Sequence, residues 1–293
     1  MKKYRSHAKI NLFLDIISKY KNDYHGIKSI FSEISLYDLI EYDLNESGKL
    51  NFIDRDGKLP DDNLLAKAGK VFSGNFKSLD FGIDFYIKKN IPIGGGLGGG
   101  SSNAASVLKI LNKNNKTCFT KKKMKKMGKT LGADIPFFID GGIQIVKGIG
   151  EKLKKINIKK MDLNILLVFP NTGISTKRAY ELIDENGLYK NSRLYKKKYT
   201  NLIKSLKQNN YYGIINNLYN TFEEVIYKEY PELKKIYNEI LISGADKALL
   251  SGSGSTILGF YSSRENMEKG LEKLLKNDRN AIITTPIFNS QTD

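Results

Sequence analysis

The sequence predicts an α+β protein in two domains, with a division near residues 155/156, and three observations lead there. Short stretches of apolar and polar residues alternate with strand period in both halves of the chain. Between them lie segments whose apolar residues return at helical spacing. One strand and one helix are joined by "PIGGGLGGGSSNAA" at 92–105, which packs six glycines into a single loop. Glycine costs roughly 0.5–1 kcal/mol relative to alanine in regular structure. Such a bare loop therefore needs something that must approach the backbone closely.

In chain order, "KINLFLDI" at 9–16 alternates strictly, so Ile10, Leu12, Leu14 and Ile16 are expected on one face and Lys9, Asn11, Phe13 and Asp15 on the other. A polar turn at 21–26 precedes a second alternating segment. "DDNLLAKAGKVF" reads as a helix starting near Asp61–Asn63 with a capping side chain at its front. Phe81, Ile83, Phe85 and Ile87 share one face of a further strand, the glycine loop follows it, and "NAASVLKILN" has helical spacing. "TKKKMKKMGK" at 120–129 has Met124 and Met127 three apart, which fits a helix with one apolar edge and a solvated lysine face. The polar, lysine-rich "GEKLKKINIKKMD" marks the division into residues 1–155 and 156–293. Beyond it come a buried strand at 163–170, helical patterns across much of 175–242, and "KALLSGSGSTILGFY" as strand, glycine turn and strand. A helix at "RENMEKGLEKLLKN" and a strand near 280–288 complete the chain.

Composition narrows the function classes. The net charge of +17 raises a nucleic-acid partner, but the excess is lysine spread along the whole chain, without base-reading motifs or stacking platforms. No nucleic-acid partner is expected, although the charge should steer a polyanionic small molecule. No stretch reaches the roughly 20 apolar residues of a membrane span. The basic, then apolar, amino terminus lacks a signal-peptide cleavage site. The single Cys118 excludes an internal disulfide and a cysteine metal cluster, and reads as a small filler in or near a helix. A cytoplasmic protein is expected, as monomer or homodimer.

A strand, a bare loop and a helix N-terminus make an anion site, because unpaired N–H groups and the helix dipole converge there. Gly94, Gly96 and Gly99 satisfy G-x-G-x-x-G, but no acidic residue follows at dinucleotide-fold spacing. A Walker loop would need lysine where Ser101 stands. The loop, with Ser101 and Ser102 as hydroxyl donors, is read as a cradle for phosphates, with a flexible surface linker as the alternative.

"AKINLFL" at 8–14, "YHGIKSIF" at 24–31, "IPIGGGLGGGSSNAASVL" at 91–108, "LGADIPFFI" at 131–139 and "LLSGSGSTILGFY" at 249–261 occur in this order. With them the chain resembles the galactokinase–homoserine kinase–mevalonate kinase–phosphomevalonate kinase superfamily, over about residues 5–262. Within it, the likeness is to the branch acting on 4-diphosphocytidyl-2-C-methyl-D-erythritol. The resemblance implies a two-domain α+β small-molecule kinase fold with its active site in the interdomain cleft. It implies ATP and Mg²⁺ as cofactors and a cytidine diphosphate conjugate as substrate. It assigns Asp134 as base and Lys9 as its electrostatic partner. Taken alone, Asp134 before Ile135–Pro136 reads as a helix cap and Lys9 as an edge-strand lysine. Pro92, Gly94, Gly95, Gly96, Leu97, Gly98, Gly99, Gly100, Ser101 and Ser102 would hold the ATP phosphates, with Asn63 and Leu64 beside the adenine. Asn11, Tyr24, His25, Thr176 and Tyr180 would hold the substrate, the last as a second stacking aromatic. No dedicated metal ligand stands out, so Mg²⁺ is expected to be carried by ATP; the Ser101 or Ser102 hydroxyl could reach it, and Ser102 is the candidate ligand. Gly252–Ser255 is expected to border the site. The family has Asp-Gly before Tyr-His where this chain has Asn22-Asp23, and aspartate follows glycine into positive φ better than most residues.

Overall fold

A computed structural model describes every residue except 22, 58, 60, 61, 77, 78, 80, 117, 191, 192 and 289–293. The expected strand at 9–16 belongs to a longer one, β1 (Lys2–Lys19), paired antiparallel with β2 (His25–Asn45). Asn11 faces Phe31 and Phe13 faces Ile30, so Leu12 is an extra residue in a β-bulge. A bulge reverses side-chain alternation. Ile10, Leu12 and Phe13 therefore share one core, whereas Leu14 and Ile16 enter the other, on the face of Lys9 and Asn11. This corrects the strict alternation expected from the sequence. Asp15 is left on the back of the sheet.

Around this pair the chain adds β3 (Leu50–Asp54), α1 (Leu64–Ser73), β4 (Gly82–Lys88), α2 (Gly99–Asn114), α3 (Lys121–Lys129), α4 (Ile135–Asp140), β5 (Ile143–Gly148) and β6 (Lys152–Lys155). The second half contributes β7 (Asn164–Phe169), α5 (Thr176–Asn186), α6 (Arg193–Lys207), α7 (Tyr211–Ile215), β8 (Tyr219–Asn220), α8 (Glu223–Glu229) and α9 (Pro231–Ile242). It ends with β9 (Lys247–Leu250), β10 (Ile257–Tyr261), α10 (Arg264–Lys276), β11 (Asn280–Thr284) and β12 (Pro286–Ile287). The larger sheet runs β3-β4-β2-β1-β8, with β5 and β12 also on β2 and β6 on β5. The smaller sheet is β11-β7-β10-β9, antiparallel throughout. The expected division falls between β6 and β7, yet β8 and β12 return to the larger sheet.

Local chemistry explains the elements that frame the site. Asn63 caps α1, its Oδ1 accepting from the Ala66 N–H at 2.9 Å, and Asp61 lies outside the described residues. Ile83, Phe85 and Ile87 of β4 are fully buried at alternate positions. Thr120 caps α3, whose Met124 and Met127 are buried. Cys118 is exposed in the loop before α3, rather than a packed filler, because α2 ends at Asn114 and leaves it outside the core. One apolar cluster fills the space between the sheets and α1–α4, α5 and α8–α10. The other joins the back of β1 to alternate residues of the smaller sheet and to α6 and α7.

Asp15 is 4% exposed, and burial pushes its carboxyl up to about 6, the Thr221 hydroxyl and Lys28 opposing only in part. Between an unfolded value of 3.8 and about 6 the folded chain thus binds the extra proton. Stability from this group falls as pH rises through that window. Asp15→Asn is expected to stabilise the fold by about 1–3 kcal/mol at pH 8, with the gain vanishing near pH 4. Urea denaturation at both pH values checks this; an equal gain at both would refute it.

Candidate active site

A cavity of about 900 Å³ opens between the glycine loop, the β1–β2 turn and the N-terminal ends of α1, α4 and α5. The residues singled out from the sequence line it, except Ser102 and, of the turn expected at its border, Gly254 and Ser255. Gly252 and Ser253, from the turn between β9 and β10, complete its wall.

Lys9 reaches the cavity from the bulged strand. Its side chain is buried, with Nζ donating to Asn11 Oδ1 at 2.7 Å, standing 4.6 Å from the centre of the Phe31 ring and 3.7 Å from Asp134 Oδ2. Asn11 is fixed in turn by donating to Ser29 Oγ at 3.1 Å. Burial lowers the Lys9 pKa, and the nearby Asp134 carboxylate opposes that shift through its charge. Asp134 occupies the N-cap position of α4, but its side chain makes no capping bond. The carboxylate is turned to the lysine instead, which separates the chemical reading from the capping one.

The glycine loop is shaped by its contacts. Gly96 has φ +73, and a Cβ there would lie 2.1 Å from the Ser251 carbonyl oxygen of the β9–β10 turn. Gly98 stands at the N-cap of α2 with φ +71, against Phe138 and the stem of Lys9. The first helical bond of α2 runs from the Ser102 N–H to Gly98 O at 2.9 Å. The preceding N–H groups, at Gly99, Gly100 and Ser101, precede the helical ladder and lie along the cavity wall. The Lys9 backbone N–H donates to Leu97 O at 2.9 Å, tying strand and loop together.

A buried network anchors both ends of the loop. Asp38 Oδ1 accepts from the N–H groups of Asn90 and Ile91 at 2.7 and 2.8 Å, while its Oδ2 accepts from Lys89 Nζ and Asn103 Nδ2. Lys89 also donates to Asn103 Oδ1 at 2.9 Å. Asn103 donates to Ser6 Oγ at 2.8 Å, and Ser6 shares a 2.8 Å hydrogen bond with Ser102. Ser102 is thus turned into the interior, away from the cleft, which corrects its expected place in the phosphate cradle, whereas Ser101 lines the cavity. Sequence reading missed Asp38 and Lys89. A signal existed: Asp38 holds the inward parity of Ile40 and Tyr42, and an aspartate there must be satisfied from within.

At the other end, Tyr24 is 56% exposed and His25 is buried. Asp23 has φ +60, the left-handed conformation that aspartate tolerates; Asn22 lies outside the described residues. Tyr180 stacks on His25, ring centres 4.5 Å apart and planes 23° apart. His25 Nε2 lies 2.7 Å from Asp184 Oδ1, and Lys19 Nζ donates to Asp184 Oδ2 at 2.6 Å. Partial burial raises the Asp184 pKa, but its hydrogen bonds with His25 and Lys19 outweigh this and hold it below the usual carboxylate range. Asp184 was missed too, although it follows Tyr180 by four residues on α5 and so shares its face. Thr176, at the start of α5, makes a 3.2 Å hydrogen bond with Ser253.

Known proteins resemble this chain in sequence and in fold. Residues 63–142 match the GHMP kinases N terminal domain and 194–280 the GHMP kinases C terminal domain. A 4-diphosphocytidyl-2-C-methyl-D-erythritol kinase of Clostridium novyi is 34% identical over 97% of this chain and 99% of its own length. One from Clostridium tetani is 37% identical over 93% of this chain and 95% of its own. A solved 4-(cytidine 5'-diphospho)-2C-methyl-D-erythritol kinase superposes with a TM-score of 0.80 at 25% identity, covering 97% of this chain and 99% of that one. A homoserine kinase from Cytophaga hutchinsonii shares the fold alone, at 16% identity and a TM-score of 0.71 over 99% of this chain and 98% of that one.

The loop contacts set a testable contrast. Gly96→Ala is expected to destabilise the protein by roughly 2–4 kcal/mol, from left-handed strain plus the clash. At Gly100 a Cβ meets nothing closer than 3.6 Å, and alanine should be neutral or stabilising by up to about 1 kcal/mol. Urea unfolding of both variants measures the difference, and equal effects would refute the packing argument.

Proposed function

The chain belongs to the 4-diphosphocytidyl-2-C-methyl-D-erythritol kinases of the GHMP kinase family, and from that premise we propose that its cleft moves the γ-phosphoryl group of ATP to the 2-hydroxyl of that alcohol, giving the 2-phosphate and ADP. The reaction belongs to the non-mevalonate route to isoprenoid precursors. The observation that carries the residue assignment is the pairing of Asp134 with Lys9, 3.7 Å apart at the wall of the phosphate cradle.

Phosphoryl transfer asks the protein chiefly for positioning and charge stabilisation. In this reading Asp134 accepts the proton of the 2-hydroxyl as its oxygen bonds to the γ-phosphorus. The bond from that phosphorus to the bridging oxygen breaks, and ADP departs with the electron pair. Lys9 holds the Asp134 carboxylate beside the hydroxyl and meets the charge on the transferred group. The N–H groups at 99–101 and the glycines from 94 to 98 hold the triphosphate, and Asn63 and Leu64 border the adenine. Asn11 contacts the methylerythritol portion, Tyr24 and His25 grip the cytosine, and Thr176 and Tyr180 close that end. Residues 1–155 then supply the nucleotide half and 156–293 the second half.

Among the described residues no cluster of three metal-ligating side chains exists. The hard oxygen donors lining the cavity include Asp134 and the Ser101 hydroxyl, which suit Mg²⁺ held mainly by ATP phosphates. Bound there, Mg²⁺ would neutralise phosphate charge. Among the described residues no helix is long and apolar enough to cross a membrane. We read the enzyme as cytoplasmic, acting on a small molecule.

ADP release should occur with the cytidyl alcohol and not with mevalonate or homoserine; turnover of either instead would move the protein to another branch. Asp134→Asn and Lys9→Met are each expected to lower kcat by about 10³-fold while ATP binding persists. Because burial depresses Lys9, kcat/KM should fall on the alkaline side below the ordinary lysine range. An alkaline limb at or above that range would contradict the need for a buried ammonium.

A further inference from the structure

Resting on the cytidyl reading above, we propose that Asp184 is a positioning residue that fixes the tautomer of His25, and that this tautomer selects cytosine over uracil. An ionised carboxylate has no proton to give, so the 2.7 Å contact with Asp184 Oδ1 requires the hydrogen on His25 Nε2. The partner of one imidazole nitrogen decides the state of the other. In the neutral ring Nδ1 then becomes an acceptor. Cytosine offers an amino donor at the position where uracil carries a carbonyl acceptor. An acceptor nitrogen rewards the first and opposes the second, and such polar mismatches discriminate more strongly than apolar fit.

The surroundings hold this arrangement from three directions. Tyr180 covers one face of the imidazole, and Tyr189 meets it edge-on at 6.4 Å. Lys19 occupies the other Asp184 oxygen and also lies 3.3 Å from Asp23, which stabilises the carboxylate in its ionised form. The reading element at the start of β2 is therefore set by a residue of α5, 159 positions away. Asp184 acts on the base through His25.

The test combines ring spectroscopy with substrate choice, using the full chain. The sequence has only two histidines, so a His7→Gln variant assigns the ¹⁵N imidazole signals of His25. At pH 8 the wild type should show the proton on Nε2 and a bare Nδ1, without any change at Asp184. In Asp184→Asn, whose amide both donates and accepts, the tautomers should mix. The ratio of kcat/KM for the cytidyl substrate over its uridyl analogue should fall at least tenfold, through KM for the cytidyl substrate and not KM for ATP. A wild-type ring carrying a proton on Nδ1, alone or with Nε2, overturns the proposal, as does an unchanged ratio in Asp184→Asn. Absence of turnover with both substrates in the wild type would refute the cytidyl reading itself, while the ring spectrum still decides the tautomer.

Discussion

A lysine ammonium held in the interior is the constraint on which the rest of this site depends. Lys9 is 5% exposed, and a cation so placed is costly unless other groups replace its water. Asn11, the Phe31 face and Asp134 supply that replacement, and each comes from a different part of the larger sheet or its helices. The Leu12 bulge lets one strand send Lys9 and Asn11 into the cleft while Ile10, Leu12 and Phe13 pack behind. A regular strand would turn Phe13 to the cleft face and Leu14 away from it.

The same lysine links cation to cradle. Its backbone N–H holds Leu97, and its stem closes against Gly98 at the start of α2. On the far side, Gly96 lets the loop touch the β9–β10 turn at a distance no side chain would allow. The glycines thus answer two needs at once. In the proposed reading some admit an approaching anion, and others admit neighbouring backbone or side chains. Behind them, Asp38 pins the entry to the loop through the backbone N–H groups of Asn90 and Ile91.

Much of this was legible in the chain. Periodicity placed the strands, the helix after the loop and the methionine edge of α3, because burial enforces those periods. The strand–glycine loop–helix arrangement was readable because its three parts are contiguous. What escaped has a common cause: it depends on partners distant in sequence. No local pattern reveals that Leu12 lacks an opposite residue, that Ser102 bonds to Ser6, or that Asp184 closes on His25. The adjacent Ser101 and Ser102 read alike in sequence, yet helical rotation sends one to the cleft and the other to the interior. Asp134 illustrates the converse, since its local context reads as a cap and only the tertiary fold brings Lys9 to it.

The central claim is that Lys9 and Asp134 act as one unit in phosphoryl transfer. A double-mutant cycle on kcat, with Lys9→Met, Asp134→Asn and the combined variant, tests it most directly. If the two groups form one device, the combined variant will be no slower than the slower single one. Losses that multiply across the cycle would show two independent contributions and contradict the account.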